Sequence, residues 1–356
     1  MKQIFQSTSK LLVATSLVIG LGASSLMAET KDKFQVAWTI YVGWMPWDYA
    51  QQEGIVSKWA EKYGIEIELV QVNDYIESIN QYSAGKFDGC VMTNMDALTI
   101  PAASGVDSSA LIMGDYSNGN DGVILKNKKS MSEVKGLNVN LVELSVSHYL
   151  LARGLESVGL SEKDVTVVNT SDADMVAAYS SDEVTAMTTW NPQLSEILTN
   201  NKSANLVYDS SKIPGEIIDM LVVNTETLKD NPKLAKALTG AWFEVMSLMK
   251  KGDTKALTMM AEASGTDLAG YKSQLDSTMM FYDPSEALKF AQSSALPATM
   301  KKVSEFSFDH GILGEGAPNA EFIGMEFPNG DIYGDKKNVK LRFIDTYVKM
   351  AAEGQL

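Results

Sequence analysis

FQVAWTI (34–40), IEIELVQV (65–72), FDGCVM (87–92) and ALIMGD (110–115) are four short apolar runs in the first third of a 356-residue chain. Each has strand length and β-branched or aromatic content, and IEIELVQV alternates apolar with polar. Helical patterns fill the gaps. Residues 46–63 carry one, broken near Gly54. Asp74 can cap another that runs to Gln81, with Ile76, Ile79 and Tyr82 on one face and Gly85 ending it. Asp96 to Ala103 opens a third. Strand and helix taking turns predict a mostly parallel sheet covered by helices.

Working outward, the polar run Asp115-Tyr-Ser-Asn-Gly-Asn-Asp-Gly122 interrupts the pattern, which then restarts. GVILK, GLNVNLV, VTVVN, VTAMTTW and ANLVY read as strands, with an amphipathic helix from Ser147 to Val158 ending at Gly159. A second α/β unit therefore spans residues 119–215. Lys212-Ile-Pro-Gly215 reads as a second crossover, and IIDMLVVN (217–224) returns to the first unit. From Asn231-Pro232 the chain reads as mainly helical to about residue 305, then turn-rich, with a final helix at 341–353. The expected fold class is α/β. Lobe I is 29–118 and 216–356, lobe II is 119–215, and two crossings form a two-strand hinge. Two lobes on a hinge make a cleft, and ligands of open α/β sheets bind beyond the carboxyl ends of strands.

Lys2 and Lys10, the apolar LLVATSLVIGL (11–21) and small residues up to Ala28 read as a secretory signal peptide over residues 1–28, cleaved after Ala28. That run is shorter than a span needs, and no later segment is long and apolar enough to cross a membrane. A free periplasmic protein, monomeric, is expected. Cys90, the lone cysteine, lies within a strand pattern and reads as a core thiol. Removing residues 1–28 removes two lysines and no acid, so 28 basic residues face 45 acids and the net charge is −17. Such a surface repels nucleic acid. Arginine is limited to Arg153 and Arg342, so a guanidinium fork for sulfonate, phosphate or carboxylate is not expected.

The chain resembles the substrate-binding proteins of ABC importers of the nitrate, sulfonate and taurine type. The resemblance rests on YVGWMPWDYA (41–50) after the first strand, YSAGKFDG (82–89), TNMDAL (93–98), MSEVKGLNV (131–139) and TTWNPQL (188–194). It covers nearly the whole mature chain. DHGILGEGAP (309–318) and NVKLRFIDTYVKM (338–350) are most similar to the branch encoded beside urea carboxylase, associated with urea and guanidine. The resemblance implies a two-lobed periplasmic-binding-protein fold of type II. It also implies a clamp that hands its ligand to an ABC permease driven by a separate ATPase subunit.

Candidate ligand-binding residues lie on strand-end loops. YVGWMPWD places Tyr41, Trp44 and Trp47 after a strand, as a flat wall for a planar ligand or cation. Asn94 and Asp96 follow the third strand, where they also fit as helix caps. Glu143 precedes a lobe II helix, Trp190 ends a lobe II strand, and Asp219 follows the second crossover. Several candidates are carboxylates and none is basic. A buried carboxylate without a partner is costly, and a planar guanidinium would neutralise it, stack on indole and take paired hydrogen bonds. Urea has the same plane but needs a donor for its carbonyl. Urea or guanidine is therefore the expected ligand. Taurine or another sulfonate, nitrate or a pyrimidine on the same fold is the alternative, and an enzyme on this scaffold a further one. His148 and His310 are far apart, and zinc-like spacing is missing. Asp115 to Lys126 resembles a calcium loop only loosely, with Asn120 at the sixth position and Lys126 at the twelfth. The chain carries no P-loop, nucleophile elbow or dinucleotide fingerprint. No cofactor, metal or catalytic residue is expected.

Overall fold

The computed structural model describes residues 31–314 and 316–356. The expected export segment and its cleavage point lie outside the described residues. Fourteen strands are described: β1 (Lys33–Trp38), β2 (Glu66–Gln71), β3 (Gly89–Thr93), β4 (Ser108–Ser117), β5 (Asp121–Lys126), β6 (Asn138–Leu141), β7 (Thr166–Asn169), β8 (Ala186–Trp190), β9 (Ala204–Asp209), β10 (Ile218–Asn224), β11 (Thr278–Met280), β12 (Gly324–Glu326), β13 (Ile332–Tyr333) and β14 (Val339–Phe343). They form two sheets. The larger runs β13-β12-β14-β4-β10-β3-β1-β2, with β11 paired to β4, and the smaller runs β7-β6-β8-β5-β9. This is an α/β architecture of two sheets with flanking helices.

Local chemistry accounts for the elements that frame the cleft. Gly54, at φ 71°, separates helix Met45–Gln52 from helix Ile55–Tyr63. Asp74 caps helix Tyr75–Ser83 by accepting from the Glu77 N–H at 2.8 Å. On β2 the glutamates at 66 and 68 face out, and Ile67 and Leu69 face in. β3 is buried along its whole length, between β1 and β10. Helix Pro232–Lys250 starts on its proline, buries Leu234 and Leu238, and sets Trp242 against Gly114 of β4.

The chain passes between the sheets at β4 to β5, with residues 118–120 between them, and returns at β9 to β10. Sequence reasoning expected mostly parallel sheets. Instead, half the pairings are antiparallel. β10 runs against both β3 and β4, and β5 runs against both β8 and β9. The reason is the crossing itself. β5 and β10 each enter their sheet from the cleft side, while β1 and β3 in one sheet and β8 in the other run toward it. The cleft thus receives the carboxyl ends of β1, β3, β4 and β8 and the amino ends of β5 and β10.

The final segment differs from expectation as well. The start of the helix expected at 341–353 lies instead in β14 (Val339–Phe343), and the helix is Thr346–Ala352. Leu341 and Phe343 point inward. Arg342 on the opposite face pairs with Asp107 at 2.9 Å and with Glu326. β14 extends the edge beside β4, a contact that helical periodicity in one short segment does not report.

Candidate functional site

The strand ends surround a small cavity of about 10 Å³, close to the room one water molecule needs. Its aromatic wall is Tyr41, Trp44, Tyr75 and Trp190, its polar lining Thr93, Asp121 and Asp219, and its aliphatic lining Val146 and Ile217. Tyr41 and Trp44 follow β1 and meet edge to face, with ring centroids 5.0 Å apart. Gly43 between them makes this possible. A Cβ there would lie 2.5 Å from the Tyr41 ring and 2.7 Å from Asp115 Oδ2. Trp44 leans on Tyr75 at 5.8 Å, and Tyr75 meets Trp190 edge on at 5.6 Å. Trp190, at the end of β8, donates its indole N–H to the Ile40 carbonyl at 3.4 Å, so the ring wall joins both halves of the molecule.

Four carboxyl groups stand at or behind this wall: Asp96, Asp115, Asp121 and Asp219, none more than 4% exposed. Asp115 on β4 and Asp219 on β10 are directly opposed in the ladder, and Asp219 also opposes Thr93 on β3. Asp115 Oδ1 accepts from the Tyr41 hydroxyl at 2.9 Å. Asp121 Oδ2 accepts from Ser117 at 2.5 Å. Asp96 Oδ2 accepts from Tyr75 at 2.6 Å, Thr93 at 2.9 Å and the Val146 N–H at 3.3 Å. The other oxygens, Asp96 Oδ1, Asp115 Oδ2 and Asp219 Oδ2, are buried with no hydrogen-bond donor among the described residues. Burial is the first cause of upward shifts in all four, to about 6 for Asp96 and about 7 for Asp121. The negative charges of Asp115 and Asp121 push Asp219 further up.

Among the described residues no lysine, arginine or histidine lines the cavity. Both arginines are engaged elsewhere. Arg153 grips Glu216 at 3.0 Å and Arg342 grips Asp107. Among the described residues no group of three or more His, Cys, Asp or Glu is arranged to hold a metal ion.

Hydrogen bonds close the rim from opposite sides. Tyr75 N–H, beside the larger sheet, donates to Asp172 Oδ1 beside the smaller one at 2.9 Å. Ser171 donates to Asp74 at 2.6 Å, and the Val42 N–H to the Asn191 carbonyl at 3.3 Å.

Of the residues singled out by sequence, Tyr41, Trp44, Trp190 and Asp219 line the cavity. Asp96 lies directly behind it, bonded to two lining side chains. Three others lie elsewhere. Trp47 stacks on Trp242 at 4.9 Å, inside the helix layer. The Asn94 amide spans Glu216 O at 3.0 Å and the Ile218 N–H at 2.9 Å, tying a short helix to β10. Glu143 is exposed, and its N–H donates to Asn169. Sequence reasoning missed Tyr75, Thr93, Asp115, Asp121, Val146 and Ile217. The available signal for two of them was an acid on each side of a crossing between sheets.

The NMT1-like family model matches residues 37–263. Among solved structures, the alkanesulfonate-binding protein SsuA from Xanthomonas axonopodis pv. citri, bound to MOPS, is similar with a TM-score of 0.66 at 16% identity, over 81% of this chain and 96% of that one. The periplasmic aliphatic sulphonate-binding protein SsuA from Escherichia coli is similar at 0.65 and 15%, over 80% and 94%. The periplasmic nitrate-binding protein NrtA from Synechocystis PCC 6803 is similar at 0.58 and 13%, over 90% and 98%. These likenesses establish the periplasmic-binding-protein fold. No curated protein sequence matches the chain.

Proposed function

We propose that this chain, which belongs to the NMT1-like family, is the exported solute-binding component of an ABC importer and captures a small planar cation of the guanidinium type. It does so without chemical change to the ligand. A permease with its ATPase subunit receives the ligand from the closed clamp. The sulfonate and nitrate binders of the same fold support the transport role. They do not carry the ligand class, because this cavity is lined by carboxyl groups and by no basic side chain.

The observation that carries the ligand class is a buried aromatic cavity lined by Asp121 and Asp219 and by no basic group, with donor-less oxygens on Asp219 and, behind the wall, on Asp96 and Asp115. An unpaired buried carboxylate is unfavourable by several kcal/mol (order of magnitude). A guanidinium has amino groups in one plane that donate to carboxylates, and faces that stack on indole. An anion finds little here. The hydroxyls of Tyr41, Tyr75 and Thr93 are already donated to carboxylates, and the Trp190 N–H to a carbonyl.

Urea is the second reading. The upward shift of Asp219 supplies a carboxylic O–H that its carbonyl would accept. Thermal unfolding against low-millimolar guanidinium, urea, taurine, nitrate and a pyrimidine tests the assignment, with an unrelated protein as control for chaotropic effects. A ligand of the folded state raises the midpoint by mass action. The expected result is a selective rise with guanidinium. A rise with taurine or nitrate alone contradicts a cation site and leaves the transport role standing.

A further inference from the structure

The cation reading leaves open what occupies the charge-binding position when no ligand is present. Asp115 and Asp219 sit opposite each other on neighbouring antiparallel strands, on the same face, at 0% and 3% exposure. Each has one oxygen without a donor. Cations are absent from the surrounding wall. Two carboxylates so placed cannot both remain ionised, because their mutual repulsion acts in a poorly screened interior. Titration of such a pair belongs to the pair rather than to either residue.

We infer that the ligand-free site holds one proton between Asp115 and Asp219, and that an entering cation takes its place, so that capture releases a proton to solvent. This rests on the cation reading of the same cavity. The exchange balances. One O–H bond breaks, the proton passes to buffer, and the pair exchanges a proton for an ammonium-type charge. The neighbours favour this outcome. From β5, Asp121 adds negative charge, and Asp96 lies beyond it. Tyr41, Tyr271 and Tyr282 lie near Asp115, and burial raises all three, so they stay neutral and add no further negative charge. Tyr75 is neutral for the same reason and is already committed to Asp96.

Capture by a clamp of this kind is stronger in neutral than in acidic surroundings. A single linked proton makes the association constant rise up to about tenfold per pH unit below the pair's titration.

The test is calorimetric titration of guanidinium chloride into wild-type protein near pH 7, in buffers of equal pH and different ionisation enthalpy. The observed enthalpy should vary with the buffer, with a slope of about one proton released per guanidinium. Asp219→Asn leaves one ionisable carboxyl, the charge of the singly protonated pair, and its slope should fall toward zero with a flattened pH dependence. Asp115→Asn gives the same readout should the first variant fail to fold. Guanidinium binding with an enthalpy independent of buffer overturns the proton exchange and spares the cation reading. Failure of guanidinium to bind overturns both. Infrared spectra of the ligand-free protein separate the two independently. A protonated carboxyl band that disappears on guanidinium addition supports the exchange, and its absence from wild-type protein refutes it.

Discussion

Replacing Asp172 by alanine removes the carboxylate that reaches across the rim to the Tyr75 N–H, 2.9 Å away. Tyr75 is the first residue of helix Tyr75–Ser83, and leading N–H groups of a helix have no intrahelical acceptor. A carboxylate there gains both the hydrogen bond and the favourable end of the helix dipole. Hydrogen bonds to charged groups contribute about 1.5–3 kcal/mol. Burial works against that gain, lifting Asp172 to about 6, so the low end applies. A loss of about 1.5 kcal/mol corresponds to roughly tenfold. The bond joins the two halves of the clamp, so it is made only when they are together. The loss should therefore fall on the closed form: guanidinium affinity about tenfold weaker, chiefly through faster release, with the unfolding midpoint of ligand-free protein little changed. Stopped-flow indole fluorescence reads this directly, because Trp44 and Trp190 line the cavity. Unchanged release, or a large fall in the ligand-free midpoint with affinity intact, would refute the reasoning and make Asp172 a residue of the fold alone.

Two tryptophans should separate binding from stability. Trp190→Ala removes part of the cavity wall and should weaken guanidinium binding by about tenfold or more, since cation–π contacts to a desolvated ring contribute on the order of 2 kcal/mol. Trp47→Ala removes the ring stacked on Trp242 and should lower stability by about 3–5 kcal/mol with affinity retained, measured by thermal unfolding and calorimetry. Ligand-free protein should lose stability as pH rises from about 4 to about 7. In that window the folded state still holds protons, on Asp96 up to about 6 and Asp121 up to about 7, that the unfolded chain has released. The folded state binding more protons makes the slope of stability with pH negative. Asp96 alone accounts for about 2–3 kcal/mol at roughly 1.4 kcal/mol per pH unit. Thermal midpoints across that range check it, and a rise instead of a fall would contradict it.

The strands were legible because each is a short β-branched run bounded by turns, and IEIELVQV pairs along β1 in the register its alternation requires. Strand direction was not legible. Nothing local in GVILK or IIDMLVVN says from which side the chain enters its sheet. The site was half legible for a similar reason. Trp44 and Trp47 lie three residues apart in one loop. Trp44 immediately precedes helix Met45–Gln52 and faces the cavity, whereas Trp47 is inside it and turned onto Trp242, which is distant in sequence. Asn94 and Asp96 flank one methionine, yet Asn94 ties down β10 while Asp96 backs the cavity. Asp115 and Asp121 read as a loose metal loop because local spacing was all the sequence displayed. Their partner is Asp219, brought alongside Asp115 by the return crossing. Tyr75 read as a helix start, which it is, with its ring turned to the cavity as well.

A crystal structure grown with low-millimolar guanidinium chloride tests the central claim most directly. The account predicts a planar cation enclosed by Tyr41, Trp44, Tyr75 and Trp190, with nitrogens within hydrogen-bond distance of Asp121 and Asp219. An anion in that position, or guanidinium bound elsewhere with the cavity holding only water, would contradict it.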